Sequence, residues 1–328
     1  MSGPAHHHPH VLAYLEALRS AGKGSTALTY EVHLRRLSGW LATQGIAADR
    51  VTTADLSRFQ IWLTTGYRSP RGTALSATTQ ATVITVIRSA YAWMHRRGLI
   101  IHDPASGITV PTVQKALTVA KDHLNQQEAI ALTETLAALV TEAKPGTTAH
   151  AVAQRNLAII TMALASGRRC QGLIEMRLTQ IDLILNEVRI EHEKGKTGRV
   201  LPIAQWATEA LRRYLDVGRP HLLRGVTSDR VFVSQRRGRI CHKAVEYVLD
   251  EAVVETIRRN PDLVELPAKR ITSHSLRVSF AMLLFQGGCN IRSLNELMLH
   301  SSLTTTAAYT PLALQDVRRA LLVAHPRA

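Results

Sequence analysis

The sequence has little cysteine, no long apolar run and a shortage of acidic residues. Its 328 residues include three cysteines, which are far apart in the chain and odd in number. This pattern excludes a disulfide framework and fits a reducing compartment. No apolar run reaches about eighteen residues, which excludes a membrane-spanning helix. The first twenty residues lack a basic start followed by an apolar core, so we expect no secretory signal.

The shortage of acidic residues makes the chain strongly basic. Lys and Arg number 40 against 25 Asp and Glu, a formal net charge of +15. Such a chain attracts polyanions, so DNA or RNA is the expected partner. We expect no membrane partner, because neither an amphipathic anchor nor a lipidation signal is present. Residues 1–105 carry 11 basic and 5 acidic residues, which leaves 29 and 20 for the remainder. Both parts are therefore expected to touch the nucleic acid.

Four stretches of the first hundred residues have apolar residues at helical spacing. In the first stretch this spacing places Leu12, Leu15 and Leu18 on one helical face. Asp103-Pro104 then breaks the pattern, and no clear period follows it. Four helices with short loops form a bundle. We therefore predict a helical domain over residues 1–105 and a linker over residues 106–122.

Capping residues mark the ends of these predicted helices. Ser76, and either Thr52 or Thr53, are of the types that cap helix N-termini. Asp55 falls in the first turn of the third helix, where the helix dipole favours an acidic side chain. Gly45 is a typical helix stop.

Residues 123–328 predict a mixed domain with a helix at its C-terminal tail. A helix over 150–167 ends at Gly167, and residues 186–203 have the alternation of a β-hairpin with a basic tip. The segment DRVFVS, residues 229–234, is predicted to add a third strand. Further helices are predicted over residues 242–259, 273–288 and 291–300 and near 314–325. The predicted fold class is mainly α with a small antiparallel β-sheet.

Six side chains of this second part form a coherent set for one reaction, the attack on a phosphodiester without a metal ion. His274 and Arg277 are three residues apart on one predicted helix and so share a face. Two Arg forks can neutralise the non-bridging phosphate oxygens, whose negative charge grows in the transition state. The six side chains are Arg169, Lys194, His274, Arg277, His300 and Tyr309.

A tyrosine nucleophile gives the other members of the set their expected roles. A phenol with a pKa of about 10 reacts poorly at neutral pH, but nearby cations lower that pKa and a His can accept the proton or hold the phosphoryl group. Lys194 on the hairpin is the expected general acid for the leaving 5′-oxygen. A covalent phosphotyrosine conserves the bond energy, so that rejoining needs no ATP.

Four segments that carry these residues resemble the sequence boxes of the tyrosine recombinases, the phage-integrase-type site-specific recombinases. The resemblance covers about residues 10–318. It implies that Arg169 is the first arginine, Lys194 the hairpin lysine, His274 and Arg277 the His-x-x-Arg box, His300 the last histidine and Tyr309 the nucleophile. The segments are ALASGRRCQGLIEMRLTQIDL, EKGKTGRVLPI, SHSLRVSFAMLLFQGG and LMLHSSLTTTAAYTPL.

The resemblance implies an enzyme that cleaves and rejoins DNA through a 3′-phosphotyrosyl intermediate. It would exchange strands between two specific sites through a Holliday junction, to integrate, excise or resolve a mobile element or replicon, with no cofactor. The implied shape is a C-shaped clamp of the core-binding-like bundle and the catalytic domain around double-stranded DNA. Four protomers would assemble on paired sites, from a monomer or dimer off DNA. An accessory DNA-binding protein stays open, and a cytoplasmic, nucleoid-associated location in bacteria is expected.

Three positions depart from the family pattern. Gly172 stands where the family often has an acidic residue, Arg168 where an apolar residue is common and Leu299 where glycine is usual. None of them removes one of the six proposed catalytic side chains. Two alternatives stay open: a type IB topoisomerase-like enzyme that nicks and rejoins DNA, and a catalytically inactive architectural DNA-binding protein. No carboxylate cluster lies beside the boxes, so a metal-dependent nuclease is disfavoured.

Further DNA contacts are predicted from exposed positions on the helices and near the hairpin, although a solvated helix face would explain each of them as well. His33 lies on the same predicted helix as Arg35 and Arg36 and is expected to face the DNA groove with them. The histidines at 6, 7, 8 and 10 are expected to form an exposed tail, and no metal site is expected. The predicted contacts are Arg35, Arg36, Thr78, Thr79, Arg88, Arg96, Arg168, Lys196 and Arg199.

Overall fold

A computed structural model describes residues 7–70, 72–111, 122–190, 199–236 and 238–290, together with residues 293, 294, 297 and 298. The chain divides into two compact units, Met1–Ala116 and Leu117–Ala328. This division falls inside the predicted linker over residues 106–122. None of the helices in the described ranges is long and apolar enough to cross a membrane.

The first unit is the predicted helical bundle. Capping explains two of its helix starts. The Thr52 side chain accepts a hydrogen bond from the Asp55 amide, and Ser76 does the same for the Thr79 amide. Gly45 follows the second helix with a φ of +67°, the left-handed conformation that glycine adopts without steric cost. The helices described here are α1 (Pro9–Ser20), α2 (Gly24–Gln44), α3 (Thr53–Thr65) and α4 (Ala77–Arg96).

The core of this unit extends past the four helices. Ile108 is buried in the same cluster as the bundle residues, so packing continues into the first residues of the predicted linker. Leu12 is half exposed, while Val11, Tyr14 and Leu15 face the core and Leu18 packs against it, so the prediction is wrong for Leu12 alone. The error arose because Val11 and Leu12 are adjacent, and helical spacing is satisfied by a stripe through either residue.

Histidines of the first unit are more buried than the sequence indicated. His33 is buried, with its Nδ1 2.8 Å from Nη1 of Arg36, so its predicted place on a groove-facing surface is wrong. Burial, and then the charge of Arg36, lower the pKa of His33. The expected exposed tail is also wrong for His7, His8 and His10, which are partly buried. The His8 side chain accepts a hydrogen bond from the His10 amide at the start of α1.

The second unit is helical with a small antiparallel sheet, which confirms the predicted fold class. The predicted helix over residues 242–259 matches the structure at both ends. Its described helices are α5 (Gln126–Glu142), α6 (Thr148–Ser166), α7 (Cys170–Ile174), α8 (Gln205–Arg213), α9 (Arg219–Leu223), α10 (His242–Arg259) and α11 (Ser273–Gln286).

Among the described residues, the sheet has three antiparallel strands in the order β1 (Ile181–Asp182), β2 (Glu187–Ile190) and β3 (Arg199–Pro202). Val188 pairs with Leu201 across the hairpin, and both side chains are buried. The hairpin is therefore confirmed, while its basic tip lies outside the described residues.

The segment over residues 229–234 is not a strand of this sheet, which corrects the prediction. It forms only isolated bridges at Arg230 and Val233. Side chains bind its backbone instead. Arg219 donates to the carbonyl oxygens of residues 228, 230 and 231, and the Val233 amide donates to the Tyr214 hydroxyl. The apolar run has the pattern of a strand because it is buried. Its peptide groups bond to these side chains and to single backbone groups, since the Val231 amide donates to the Met176 carbonyl oxygen and the Leu178 amide donates to that of Asp229.

Helix α6 runs through the core of the second unit. Its residues from Ala158 to Ser166 are buried on every side, as expected for a helix that is apolar all around. It packs against α5, α8 and α11. Gly167 caps the end of α6, so Arg168 and Arg169 directly follow a helix that lies in the core.

Candidate active site

The turn after α6 is fixed by a glycine. Gly167 has a φ of +57°, and a Cβ atom built there would lie 2.2 Å from Cδ1 of Phe280. A side chain at this position would therefore need both a strained backbone and a displaced aromatic ring. The turn packs directly on α11 through this contact. Two residues later, Arg169 is exposed at the N-cap position of α7.

A buried guanidinium connects this turn to two other predicted boxes. Arg277 on α11 is 4% exposed, and its Nη1 donates to the carbonyl oxygen of Gly167 at 2.5 Å. Its Nη2 donates to the carbonyl oxygen of Met298. Met298 lies two positions before His300 in the sequence. The structure therefore brings the turn before Arg169, the His-x-x-Arg helix and the start of the last box together at one side chain.

His274 lies in the first turn of α11, where its side chain is exposed. The helix begins with Thr272, whose hydroxyl accepts a hydrogen bond from the Ser275 amide. His274 and Arg277 are three residues apart on this helix, as predicted, so both lie on one side of it. Of the remaining predicted catalytic residues, Lys194, His300 and Tyr309 lie outside the described residues.

Two of the departures from the family pattern lie against each other. A Cβ atom built at Gly172 would be 3.2 Å from Nη2 of Arg168, so the guanidinium of Arg168 covers the glycine. The two residues are four positions apart across the start of α7, and a larger residue at 172 would require Arg168 to move. In the sequence, Arg168 and Gly172 are two separate departures from the family pattern, whereas in the structure they are in contact.

A network around Ser273 was missed by sequence reasoning. The Glu246 carboxylate of α10 accepts hydrogen bonds from the amide and the hydroxyl of Ser273. Burial raises the pKa of the Cys170 thiol to about 11, although a hydrogen bond with Ser273 lowers it in part. The thiol is therefore protonated at neutral pH. A single acidic residue on an amphipathic helix carries no signal of such a partner, since helical spacing does not tell which element lies opposite.

The predicted DNA contacts of the first unit differ in their surroundings. Arg35 donates to Glu31 at 2.9 Å, and the guanidinium of Arg36 lies 5.7 Å from the centre of the Tyr67 ring. The side chains of Thr78, Arg88 and Arg96 are exposed, and that of Thr79 is partly buried. In the second unit, Arg199 lies in β3 and Lys196 lies outside the described residues. All of these contacts stay predictions.

Two family models match this chain. One, described as the phage integrase family, matches residues 133–315. The other, described as the N-terminal SAM-like domain of phage integrase, matches residues 11–98. The second match covers the four-helix unit, and the first covers the part of the chain that holds all six predicted catalytic residues.

Curated relatives match over nearly their whole length. The chain is 30% identical to the tyrosine recombinase XerC of Mycobacterium leprae over 312 residues, 95% of this chain and 96% of that protein. It is 29% identical to XerC of Pseudomonas fluorescens over 318 residues, 96% of this chain and 95% of that protein. It is also 29% identical to the tyrosine recombinase XerD of Mycobacterium tuberculosis (strain ATCC 25618 / H37Rv), over 93% of this chain and 92% of that protein.

Solved structures share the fold at low sequence identity. The XerH site-specific recombinase bound to a palindromic difH substrate matches with a TM-score of 0.67 and 20% identity, over 94% of this chain and 82% of that chain. The Tn1549 transposon integrase in complex with a circular intermediate DNA matches with a TM-score of 0.63 and 17% identity, over 94% of this chain and 98% of that chain.

Proposed function

Since the chain belongs to the phage integrase family, whose matched relatives are tyrosine recombinases, we propose that its six predicted residues form the active site. The protein is a site-specific recombinase, and its partner is DNA. Neither a topoisomerase-like enzyme nor an inactive architectural protein is favoured by these relatives. The proposed catalytic residues are Arg169, Lys194, His274, Arg277, His300 and Tyr309.

In the proposed cleavage step, the Tyr309 oxygen attacks the scissile phosphorus while its proton passes to His274. The bond from phosphorus to Tyr309 forms and the bond to the 5′-oxygen breaks. Lys194 gives a proton to that leaving oxygen. Arg169, Arg277 and His300 would stabilise the charge on the non-bridging oxygens. Rejoining is the same step in reverse, with the 5′-hydroxyl of the partner strand as the nucleophile.

The arrangement of Arg277 carries this proposal. A buried guanidinium costs free energy unless it is hydrogen-bonded, and the Gly167 and Met298 carbonyls supply those bonds. The charge is thereby held in one place before DNA binds. A charge that needs no reorganisation during the reaction is the most effective kind of transition-state stabilisation.

We further propose the assembly that the family resemblance implies. The domain over residues 1–105 and the catalytic domain over residues 123–328 would both contact double-stranded DNA, and four protomers would exchange strands at paired sites. Recombination would take place at the bacterial nucleoid, in the cytoplasm. The arginines and threonines singled out in the sequence would contribute the phosphate contacts.

A strand-exchange assay tests the function. A supercoiled plasmid would carry two copies of the DNA that flanks the protein's own gene. We expect the wild-type protein to convert it into two circles and Tyr309→Phe to leave it unchanged. Relaxation of a plasmid without those copies, and no exchange on the plasmid with them, would instead favour a topoisomerase.

A further inference from the structure

Glu246 holds the N-terminus of the helix that carries His274 and Arg277. The Ser273 amide points at both carboxylate oxygens of Glu246, with nitrogen–oxygen distances of 3.2 and 3.1 Å. The Ser273 hydroxyl donates to the same carboxylate. Ser273 is the first residue of α11 and is buried, while Glu246 is partly buried near the start of α10.

The same serine also reaches the segment of Arg169. Helix α10, which carries Glu246, packs against α7, and α7 begins at Cys170, which directly follows Arg169 in the chain. The Ser273 side chain also acts on the Cys170 thiol, since it lowers the pKa of that thiol in part. Ser273 in turn directly precedes His274. One serine–carboxylate pair therefore connects the immediate neighbours of two proposed catalytic residues, on two different helices.

The Glu246 carboxylate has no lysine or arginine partner among the described ion pairs, whereas the carboxylate of Glu128 in the same unit pairs with a lysine. Glu128 is almost fully buried and pairs with the Lys269 ammonium at 2.7 Å. In the described residues, the ion-pair partner of Glu246 is His242 alone, at 3.6 Å. Most of its stabilisation then comes from Ser273 and from the positive end of the α11 dipole. Because the Glu246 carboxylate is bonded to the first residue of α11, it fixes the orientation of that end of the helix.

We propose that Glu246 is a positioning residue for strand cleavage. It acts through Ser273 to hold His274 and Arg169 in the orientation that the reaction needs. This inference rests on the proposed function, because it assumes that those two residues act on the phosphate. Glu246 itself would contact neither DNA nor Tyr309. Its removal would leave DNA binding intact and slow the chemical step in the bound complex.

The test is a double-mutant cycle on the full-length protein. Glu246→Gln keeps the size of the side chain and removes its charge, Ser273→Ala removes the hydroxyl, and a third variant combines both. The control is Asp250→Asn, which removes the same charge one turn further along α10, at an exposed position. The net charge of the protein changes equally in Glu246→Gln and in the control.

The readout separates positioning from folding. Protein in excess is bound to a nicked duplex from the gene's own flanking DNA, and formation of the covalent adduct is followed in a single turnover. A less stable fold lowers the amplitude, whereas misplaced catalytic groups lower the rate constant. We expect Glu246→Gln and Ser273→Ala each to lower the rate constant at least tenfold. We expect the double variant to be little slower than either one, because residues that act as a unit are not additive.

Two results would overturn the proposal. One is a rate constant for Glu246→Gln within twofold of the control. Another is additive effects of the two changes. If Glu246→Gln does not fold, Ser273→Ala decides by the same criterion. A wild-type protein that forms no adduct would remove the proposed function and this inference together, whereas an active wild type with an equally active Glu246→Gln removes this inference alone.

Discussion

Arg277 is the residue on which the proposed site depends most. Buried arginines occur elsewhere in the same unit, so burial alone does not mark a catalytic side chain. Arg219 is also buried and also donates to carbonyl oxygens, those of Ser228, Arg230 and Val231. What distinguishes Arg277 is that its two carbonyl partners belong to the segments that lead to Arg169 and His300.

We expect truncation of these two arginines to have different effects. Arg277→Ala should slow adduct formation several hundredfold, equivalent to roughly 3–4 kcal/mol, because a preorganised donor to the phosphate is lost. Arg219→Ala should lower the melting temperature but leave the single-turnover rate constant of the folded protein within a few fold of the wild type. A loss of less than tenfold in Arg277→Ala would contradict its role.

At this scale the sequence predicted the residues that belong to recognisable boxes. Gly167 was identified as a helix stop, and its φ of +57° confirms it. The contact between Arg168 and Gly172, and that between Glu246 and Ser273, could not be predicted. Residues 246 and 273 are far apart in the chain, and spacing along one helix gives the face of a residue but not the residue that faces it.

The third helix of the first unit shows how one cap supports an element. The Asp55 carboxylate accepts hydrogen bonds from the amide and the hydroxyl of Thr52, while the Thr52 hydroxyl accepts from the Asp55 amide. The bonds from Thr52, and then one from Arg58, lower the pKa of Asp55. The sequence left Thr52 and Thr53 as equal candidates, and the structure selects Thr52.

This cap predicts a pH-dependent effect. The folded-state pKa of Asp55 lies below its unfolded value, so its contribution is complete above the unfolded pKa and is lost as the pH falls through the folded pKa. Asp55→Asn should therefore lower the free energy of unfolding of the first unit by about 1 kcal/mol at pH 7. The difference should shrink toward pH 2.

Urea unfolding followed by tryptophan fluorescence measures this effect, since three of the four tryptophans lie in the first unit. Glu16→Gln, an exposed acid on α1, serves as the control and should change the free energy of unfolding little. An Asp55→Asn difference that stays constant from pH 7 to pH 2 would rule out the cap as its cause.

Among the elements, the hairpin was predictable and the segment over residues 229–234 was not. Both have the alternation or the apolar content of a strand. In the hairpin, the backbone of β2 finds a partner in β3 a few residues away. The other segment bonds its peptide groups to the side chains of Arg219 and Tyr214 and to single backbone groups of residues 176 and 178. Sequence patterning contains no information on such long-range partners.

For the whole molecule, the excess of basic residues is the property that composition alone reveals. It indicated a polyanionic partner, and the family match specifies DNA. The order of the boxes along the chain then supplied the chemistry, since none of the six residues is persuasive alone. The boundary between the units could be placed only within a linker, because the segment there has no apolar period.

The charge predicts a steep salt dependence of DNA binding. Each neutralised phosphate contributes a slope of about −0.9 to the logarithm of affinity against the logarithm of salt concentration. With about six contacts or more, affinity should fall roughly a thousandfold between 50 and 200 mM salt. Fluorescence anisotropy of a labelled duplex measures this slope, and a flat response would contradict contact by both units.

The proposed function depends on a metal-independent tyrosyl transfer to DNA by Tyr309. Wild type and Tyr309→Phe would be incubated in EDTA with nicked duplexes from the gene's own flanking DNA, and the products separated on denaturing gels. We predict a protein–DNA band for the wild type alone, with equal DNA binding by both proteins, because the variant loses one hydroxyl and no charge. A band of equal intensity with Tyr309→Phe, or no band for a wild type that binds the same duplex well, would rule out this tyrosyl transfer.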